Sequence, residues 1–333
     1  MLNVLVKMPF GESRLAVVRA VSPKLRVTCE DALNADHSRA DILYAGAPPR
    51  DLTRAPGLKW VQLHMAGVDA LADHPLYTGT PVLLTTTSGV HAATIAEYSI
   101  TVLLALAHRV PRMVEWQRKG VWPPDEQRWS LFVPTEVRGS TLGIIGYGSI
   151  GRELARIAKT AFGMTVLACK RDPSRREDSG YTLPGMGDPH GALPEAWFPP
   201  EKVSELLARS DAVVMCAPLT TDTERMIGTA ELRAMKRSAY FVNVGRGATV
   251  DETALAEALS EKRIAGAAVD VFAQEPPPAG HPLYGLDNVI VSPHVSGFLP
   301  SYDDKCVELF AENLRRYLER DPLLNLVDRV KGY

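Results

Sequence analysis

The sequence predicts an α/β protein of two domains, and three observations carry that prediction. Short apolar strands alternate with helical patterns through the first hundred residues, and the alternation resumes after residue 140. Such alternation implies parallel sheets covered by helices. A glycine-rich turn sits between a strand and a helix in the second series. The length, 333 residues, exceeds what one hydrophobic core usually serves. We therefore expect a Rossmann doubly wound parallel sheet in residues 101–298. A second α/β domain is expected from residues 1–100 and 299–333.

In order along the chain, the first strands are expected at residues 2–6, 42–45, 59–63 and 82–85. A long helix follows over residues 92–119, broken or bent near Pro111. Residues 120–134, rich in Trp and Pro, lead into the second series. Its strands fall near residues 142–145, 165–169, 212–215, 239–244, 267–271 and 289–292. Six strands complete a doubly wound sheet. Apolar residues at helical spacing (Val307, Phe310, Leu314, Leu318) predict a helix over residues 301–318 that returns to the first domain. Residues 172–200, rich in Pro, Gly and charge, are too long for an ordinary α/β connection and read as an inserted surface loop.

The turn itself is Gly146-Tyr147-Gly148-Ser149-Ile150-Gly151. The first glycine permits a tight turn, the second lets a pyrophosphate reach bare backbone, and the third lets the helix pack closely on the strand. Amides at the helix start, with the helix dipole, favour the phosphate charge. A dinucleotide-binding protein is the expectation.

Composition narrows the class further. Hydrophobic content is 46%, charged content 23% and net charge −2, ordinary values for a globular protein. No basic block resembles a nucleic-acid footprint. The four cysteines are scattered without a Cys-x-x-Cys pair, so free thiols in a reducing cytoplasm are expected, and no metal site. Residues 1–7 read as a first strand and lack the features of a signal peptide. The most apolar helical stretch, residues 95–107, is too short to span a bilayer. These readings point to a cytoplasmic protein with no membrane partner.

Three motifs lie at the ends of expected strands: Val242-Asn243-Val244-Gly245-Arg246-Gly247, Asp270-Val271-Phe272-Ala273-Gln274-Glu275-Pro276, and Val291-Ser292-Pro293-His294-Val295-Ser296-Gly297. Ligands in open α/β sheets bind beyond the carboxyl ends of strands, so Arg246, Glu275 and His294 can converge on one cleft. Hydride reduction of a ketone develops negative charge on oxygen, and an imidazolium is a suitable proton donor. His294 is that candidate, with Glu275 orienting its ring. Arg246 offers a planar fork for a substrate carboxylate and keto oxygen.

With the glycine turn, the three motifs and Ala217-Pro218-Leu219-Thr220 with Thr223 taken together, the chain resembles the D-isomer-specific 2-hydroxyacid dehydrogenases from about residue 59 onward. Within that family it looks like the glyoxylate/hydroxypyruvate reductases. The resemblance implies reversible hydride transfer between a nicotinamide cofactor and a small 2-oxo or D-2-hydroxy acid, and a flavodoxin-like α/β substrate domain with the active site in the interdomain cleft. It implies cofactor contacts at Pro218, Thr223, Gly297 and Asp270, the last to the nicotinamide carboxamide. It also implies that the backbone amides of Ala66 and Gly67, in His64-Met65-Ala66-Gly67-Val68-Asp69, hold the substrate carboxylate. Relatives dimerise about the helical region near residues 92–119, which implies a homodimer.

The strand at 165–169 runs into Lys170-Arg171-Asp172, where an NAD site normally places an acidic residue for the ribose. Lys170 and Arg171 instead offer partners to a 2′-phosphate, so NADP(H) is the expected cofactor. NAD(H) is the alternative, with Asp172 on the ribose. The other readings are NAD-linked D-2-hydroxyacid, formate or phosphite dehydrogenases, and a dinucleotide-sensing corepressor-like binding protein.

Overall fold

The computed structural model describes residues 1–30 and 37–333. Contacts divide the chain into two units. The first comprises Met1–His91, Ser179–Leu183 and Leu299–Tyr333; the second comprises Ala92–Asp178 and Pro184–Phe298.

In the first unit the described residues form a parallel sheet of β1 (Leu2–Lys7), β2 (Leu25–Cys29), β3 (Ile42–Ala45), β4 (Trp60–Leu63) and β5 (Leu83–Thr85), in spatial order β2-β1-β3-β4-β5. That is the flavodoxin-like order. The strands alternate between two apolar faces. Val4, Val6, Ile42, Tyr44 and Trp60 pack with Phe310 and Leu314 of helix Tyr302–Glu319. Leu5, Leu43, Val61, Leu63 and Leu84 pack on the other side with Leu71 and Leu76. The last helix thus completes the core that the amino-terminal strands begin.

In the second unit the parallel sheet is β6 (Thr141–Ile145), β7 (Thr165–Cys169), β8 (Ala196–Phe198), β9 (Ala212–Met215), β10 (Tyr240–Asn243), β11 (Gly266–Val269) and β12 (Val289–Val291). Its order, β12-β11-β10-β9-β6-β7-β8, is doubly wound, and the strand order reverses between β6 and β9. Leu142, Ile144, Val166 and Val214 bury one face against Leu103, Leu106, Leu154 and Ala158 of helices Ala92–Ala107 and Ser149–Phe162. Each Leu, Ile or Val among them removed from water contributes about 1.5–3 kcal/mol.

Two strands escape the sequence pattern. β2 is an edge strand with alternating exposure, and its Arg and Thr dilute the apolar signal. β8 is three residues long, lies inside the expected loop 172–200, and exists through its pairing with β7. The expected long helix is two, Ala92–Ala107 and Val110–Lys119, because Arg109 turns left-handed at φ 58°. Pro111 sits harmlessly in the first turn of the second helix, where no amide partner is lost. A further helix, Asp125–Phe132, occupies the Trp- and Pro-rich stretch. Residue 100, where the sequence divides the domains, falls inside helix Ala92–Ala107, which lies whole in the second unit.

Candidate active site

The glycine turn follows β6 at the point where the strand order reverses. Gly146 adopts φ +96°, and a Cβ there would stand 2.6 Å from the Ala217 nitrogen, so no other residue fits. At Gly148 a Cβ would meet nothing within 4 Å, leaving the backbone open to a ligand. Gly148 caps helix Ser149–Phe162 without a side-chain hydrogen bond, so the helix's first amides and dipole face outward. Cys216, from the loop after β9, donates its thiol to the Gly146 carbonyl at 3.0 Å, and burial pushes that thiol up to about 12. Bare backbone, free helix amides and an open approach fit a dinucleotide pyrophosphate.

Tyr147 turns away from the open face. Its side chain is buried, and its hydroxyl donates to Asp188 Oδ2 at 2.7 Å. Asp188 also accepts from the Ala192 and Leu193 amides. Arg152, one residue past the turn and 1% exposed, donates to the carbonyls of Asp188 and Arg176. Trp197 meets the Tyr147 ring edge-on at 4.9 Å. Much of the inserted segment is therefore fastened to the glycine turn, which its polar composition did not suggest.

Lys170 and Arg171 leave the end of β7. Burial, then the nearby Arg152 charge, pulls the Lys170 ammonium below its ordinary pKa, and its Nζ donates to the Arg175 carbonyl. Arg171 pairs with Asp222 at 3.1 Å. Asp172 is occupied in its own turn, accepting from the Ser174 hydroxyl at 2.5 Å and the Ser174 amide at 3.0 Å. Those bonds hold its carboxyl below the usual range. Thr223 donates to the Pro218 carbonyl at 2.6 Å and so shapes the loop after β9.

β10, β11 and β12 are neighbours, and their carboxyl ends carry Arg246, Glu275 and His294. Gly247 lets the Arg246 loop lie directly on the next one, since a Cβ there would come within 1.9 Å of the Phe272 carbonyl carbon. Arg246 donates through Nη1 to the Gly245 carbonyl, and its own carbonyl accepts from Thr249 Oγ1 at 2.6 Å. Glu275 is held at both oxygens. Oε1 accepts the Phe272 amide at 3.0 Å, and Oε2 lies 2.7 Å from His294 Nδ1. The ring is half exposed, with Nε2 left for a reactant. His294 has a left-handed backbone, φ 53°.

Asp270 is inside the loops rather than at their surface. It is 1% exposed, and its carboxylate accepts from Ser292 Oγ at 2.5 Å, the Val295 amide at 2.9 Å and the Ser296 amide at 3.0 Å. Gly297 follows that bonded turn directly. Ser292 lies within the His294 motif, yet nothing in the sequence marks it as a partner of Asp270.

In the first unit, residues 64–67 follow β4. The Tyr302 hydroxyl donates to the His64 carbonyl at 3.0 Å, and the Thr87 amide donates to the Met65 carbonyl at 3.0 Å. A trans peptide points its C=O and N–H oppositely, so pinning Met65 aims the Ala66 amide away from Thr87. Among the described residues neither Ala66 nor Gly67 has an acceptor for its amide. His64 is set between Tyr44 (Oη to Nδ1, 2.6 Å) and Asp303 (3.3 Å from Nε2). Among the described residues no helix is long and apolar enough to cross a membrane, and no group of His, Cys, Asp and Glu is arranged to hold a metal ion.

A doubly wound sheet with this turn, and a paired histidine and carboxylate at adjacent strand ends, defines a nicotinamide-dinucleotide oxidoreductase. The family can be stated more narrowly. Residues 100–296 match the family model described as "D-isomer specific 2-hydroxyacid dehydrogenase, NAD binding domain", and the chain belongs to that family. It is 38% identical over 277 residues to a glyoxylate reductase of Korarchaeum cryptofilum, covering 83% of this chain and 77% of that one. A glyoxylate reductase of Aeropyrum pernix is 35% identical over 87% of this chain and 83% of its own. Among solved structures, a D-isomer-specific 2-hydroxyacid dehydrogenase from Xanthobacter autotrophicus, in complex with NADPH and MES, superposes with a TM-score of 0.80 at 29% identity over 99% of both chains.

Proposed function

We propose that this enzyme reduces small 2-oxo acids, glyoxylate and hydroxypyruvate among them, to D-2-hydroxy acids, with His294 as general acid/base and NADPH preferred over NADH. The observation that carries the reading is the 2.7 Å bond between His294 Nδ1 and Glu275 Oε2. When bound, the nicotinamide cofactor supplies the hydride. As negative charge grows on the carbonyl oxygen, a protonated His294 donates its Nε2 proton. Glu275, fixed by the Phe272 amide, holds Nδ1 and so keeps Nε2 directed outward. Arg246 aligns the substrate carboxylate and keto oxygen, and the amides of Ala66 and Gly67, without an acceptor among the described residues, suit the carboxylate.

The turn Gly146-Tyr147-Gly148-Ser149-Ile150-Gly151 holds the pyrophosphate by its backbone, while Pro218, Thr223, Asp270 and Gly297 shape the nicotinamide end. Preference for NADPH rests on Lys170 and Arg171 at the ribose position, with Asp172 engaged by Ser174. The glyoxylate reductases among its relatives and the NADPH-bound structure from Xanthobacter support the same reading.

We also infer a homodimer. Met113, Val114, Val121, Trp122, Trp129 and Val133 are exposed on residues 110–133, a concentration of apolar surface that marks an interaction site. Four unpaired cysteines suit a reducing cytoplasm.

The test is oxidation of NADPH and of NADH by the purified enzyme with glyoxylate, hydroxypyruvate and bulkier 2-oxo acids. Faster NADPH oxidation with the small acids is expected. Preference for NADH would move the ribose contact to Asp172, and cofactor binding without turnover would favour a dinucleotide-sensing role.

A further inference from the structure

His294 stands in a backbone region that non-glycine residues seldom adopt, at φ 53°. Something must hold it there. Its amide donates to the Asp270 carbonyl at 2.8 Å, and the next two amides, Val295 and Ser296, donate to the Asp270 carboxylate. Asp270 therefore caps the turn that presents His294. The carboxylate has its own support. Ser292 Oγ lies 2.5 Å from Asp270 Oδ1, and Tyr98 Oη lies 2.5 Å from Ser292 Oγ. A carboxylate only accepts, so the Ser292 proton goes to Asp270 and the Tyr98 proton to Ser292. The hydrogen bonds run one way, from helix Ala92–Ala107 through β12's end to the turn. Burial raises the Tyr98 pKa, which keeps that hydroxyl a donor.

We propose that Tyr98 and Ser292 are positioning residues for the reaction, acting through Asp270 to fix the left-handed turn that aims His294. The proposal rests on the reading of His294 as general acid/base. Removing the Ser292 hydroxyl frees the carboxylate to rotate, and the Val295 and Ser296 amides lose a fixed acceptor. The ring then moves relative to the reacting oxygen. A misplacement of about 1 Å can cost on the order of 100-fold in rate, so partial loosening should cost roughly 10-fold.

The experiment compares wild type with Ser292→Ala, Ser292→Thr and Tyr98→Phe. It reads kcat, KM for the 2-oxo acid, NADPH affinity by fluorescence, and the His294 ring signals in NMR, assigned by their loss in His294→Gln. Ser292→Ala should lower kcat roughly 10-fold, with KM and NADPH affinity within about two-fold, and should shift the His294 ring signals. Tyr98→Phe should do the same to a smaller degree, and Ser292→Thr, which keeps the hydroxyl, should restore kcat. Unchanged kcat and ring signals in Ser292→Ala would overturn the proposal. So would a loss explained by weaker NADPH binding, or a folded Ser292→Thr no better than Ser292→Ala. If Ser292→Ala unfolds below assay temperature, Tyr98→Phe decides by the same readouts. A wild-type enzyme without 2-oxo acid turnover overturns the proposed activity instead, and the ring signals still report whether this chain holds His294.

Discussion

At His294 a single nitrogen pair separates a reactive ring from an idle one. With Nδ1 bound to Glu275, the proposed proton transfer falls to Nε2. His294→Ala should lower kcat by roughly 10²–10⁴-fold, read in steady-state turnover at saturating cofactor. On the proposed cofactor preference, Lys170 bears on a different choice. Lys170→Asp should turn the NADPH/NADH ratio of kcat/KM toward NADH by at least about 10-fold, since a charge-assisted partner of the phosphate becomes a repelling one. His64 gives a pH signature. Burial lowers its pKa below 6.5 more than Asp303 raises it, with Arg14 and His91 adding in the lowering direction. Tyr44 and Tyr302 also touch its ring. The folded state thus prefers neutral His64. Its contribution to stability is complete above pH 6.5 and is lost as pH falls toward the folded value. Melting temperatures from pH 8 to 5 should fall more steeply for wild type than for His64→Gln, and parallel curves would remove His64 from the account.

At the scale of elements, the inserted segment 172–200 behaves as a brace. Tyr147→Phe removes a buried donor and leaves Asp188 Oδ2 with the Leu193 amide alone. Denaturant unfolding should show a loss of about 1–3 kcal/mol, because a buried bond to a charged group is broken. No measurable loss would mean the bond contributes nothing. This brace marks where the sequence stopped being legible. The strands, the glycine turn and the three loop motifs could be read because each signal is local, such as an apolar run, a required glycine or a residue after a strand. The links Tyr147–Asp188 and Ser292–Asp270 join residues 41 and 22 positions apart, and no periodicity connects them. β8 was hidden for the same reason, since its three residues are a strand only beside β7. The family resemblance assigns Asp270 a cofactor contact, and nothing in its motif signals that its buried carboxylate also receives Ser292 Oγ and the Val295 and Ser296 amides.

For the whole molecule, the exposed aromatics give the clearest test of assembly. Trp122 and Trp129 are 78% and 79% exposed, costly for single chains in water. Light scattering should give a dimer mass for wild type and a monomer mass for Trp122→Glu combined with Trp129→Glu. A dimer that survives both changes would place the interface elsewhere. The closing helix, Tyr302–Glu319, has a consequence in time. Its Phe310 and Leu314 finish the core around Tyr44 and Trp60, yet the ribosome delivers them after all of the second unit. The Rossmann unit, uninterrupted apart from Ser179–Leu183, can reach its native sheet while the first strands still wait with an apolar face uncovered. During each round of synthesis that uncovered face, not the finished enzyme, is the surface that chaperones would meet.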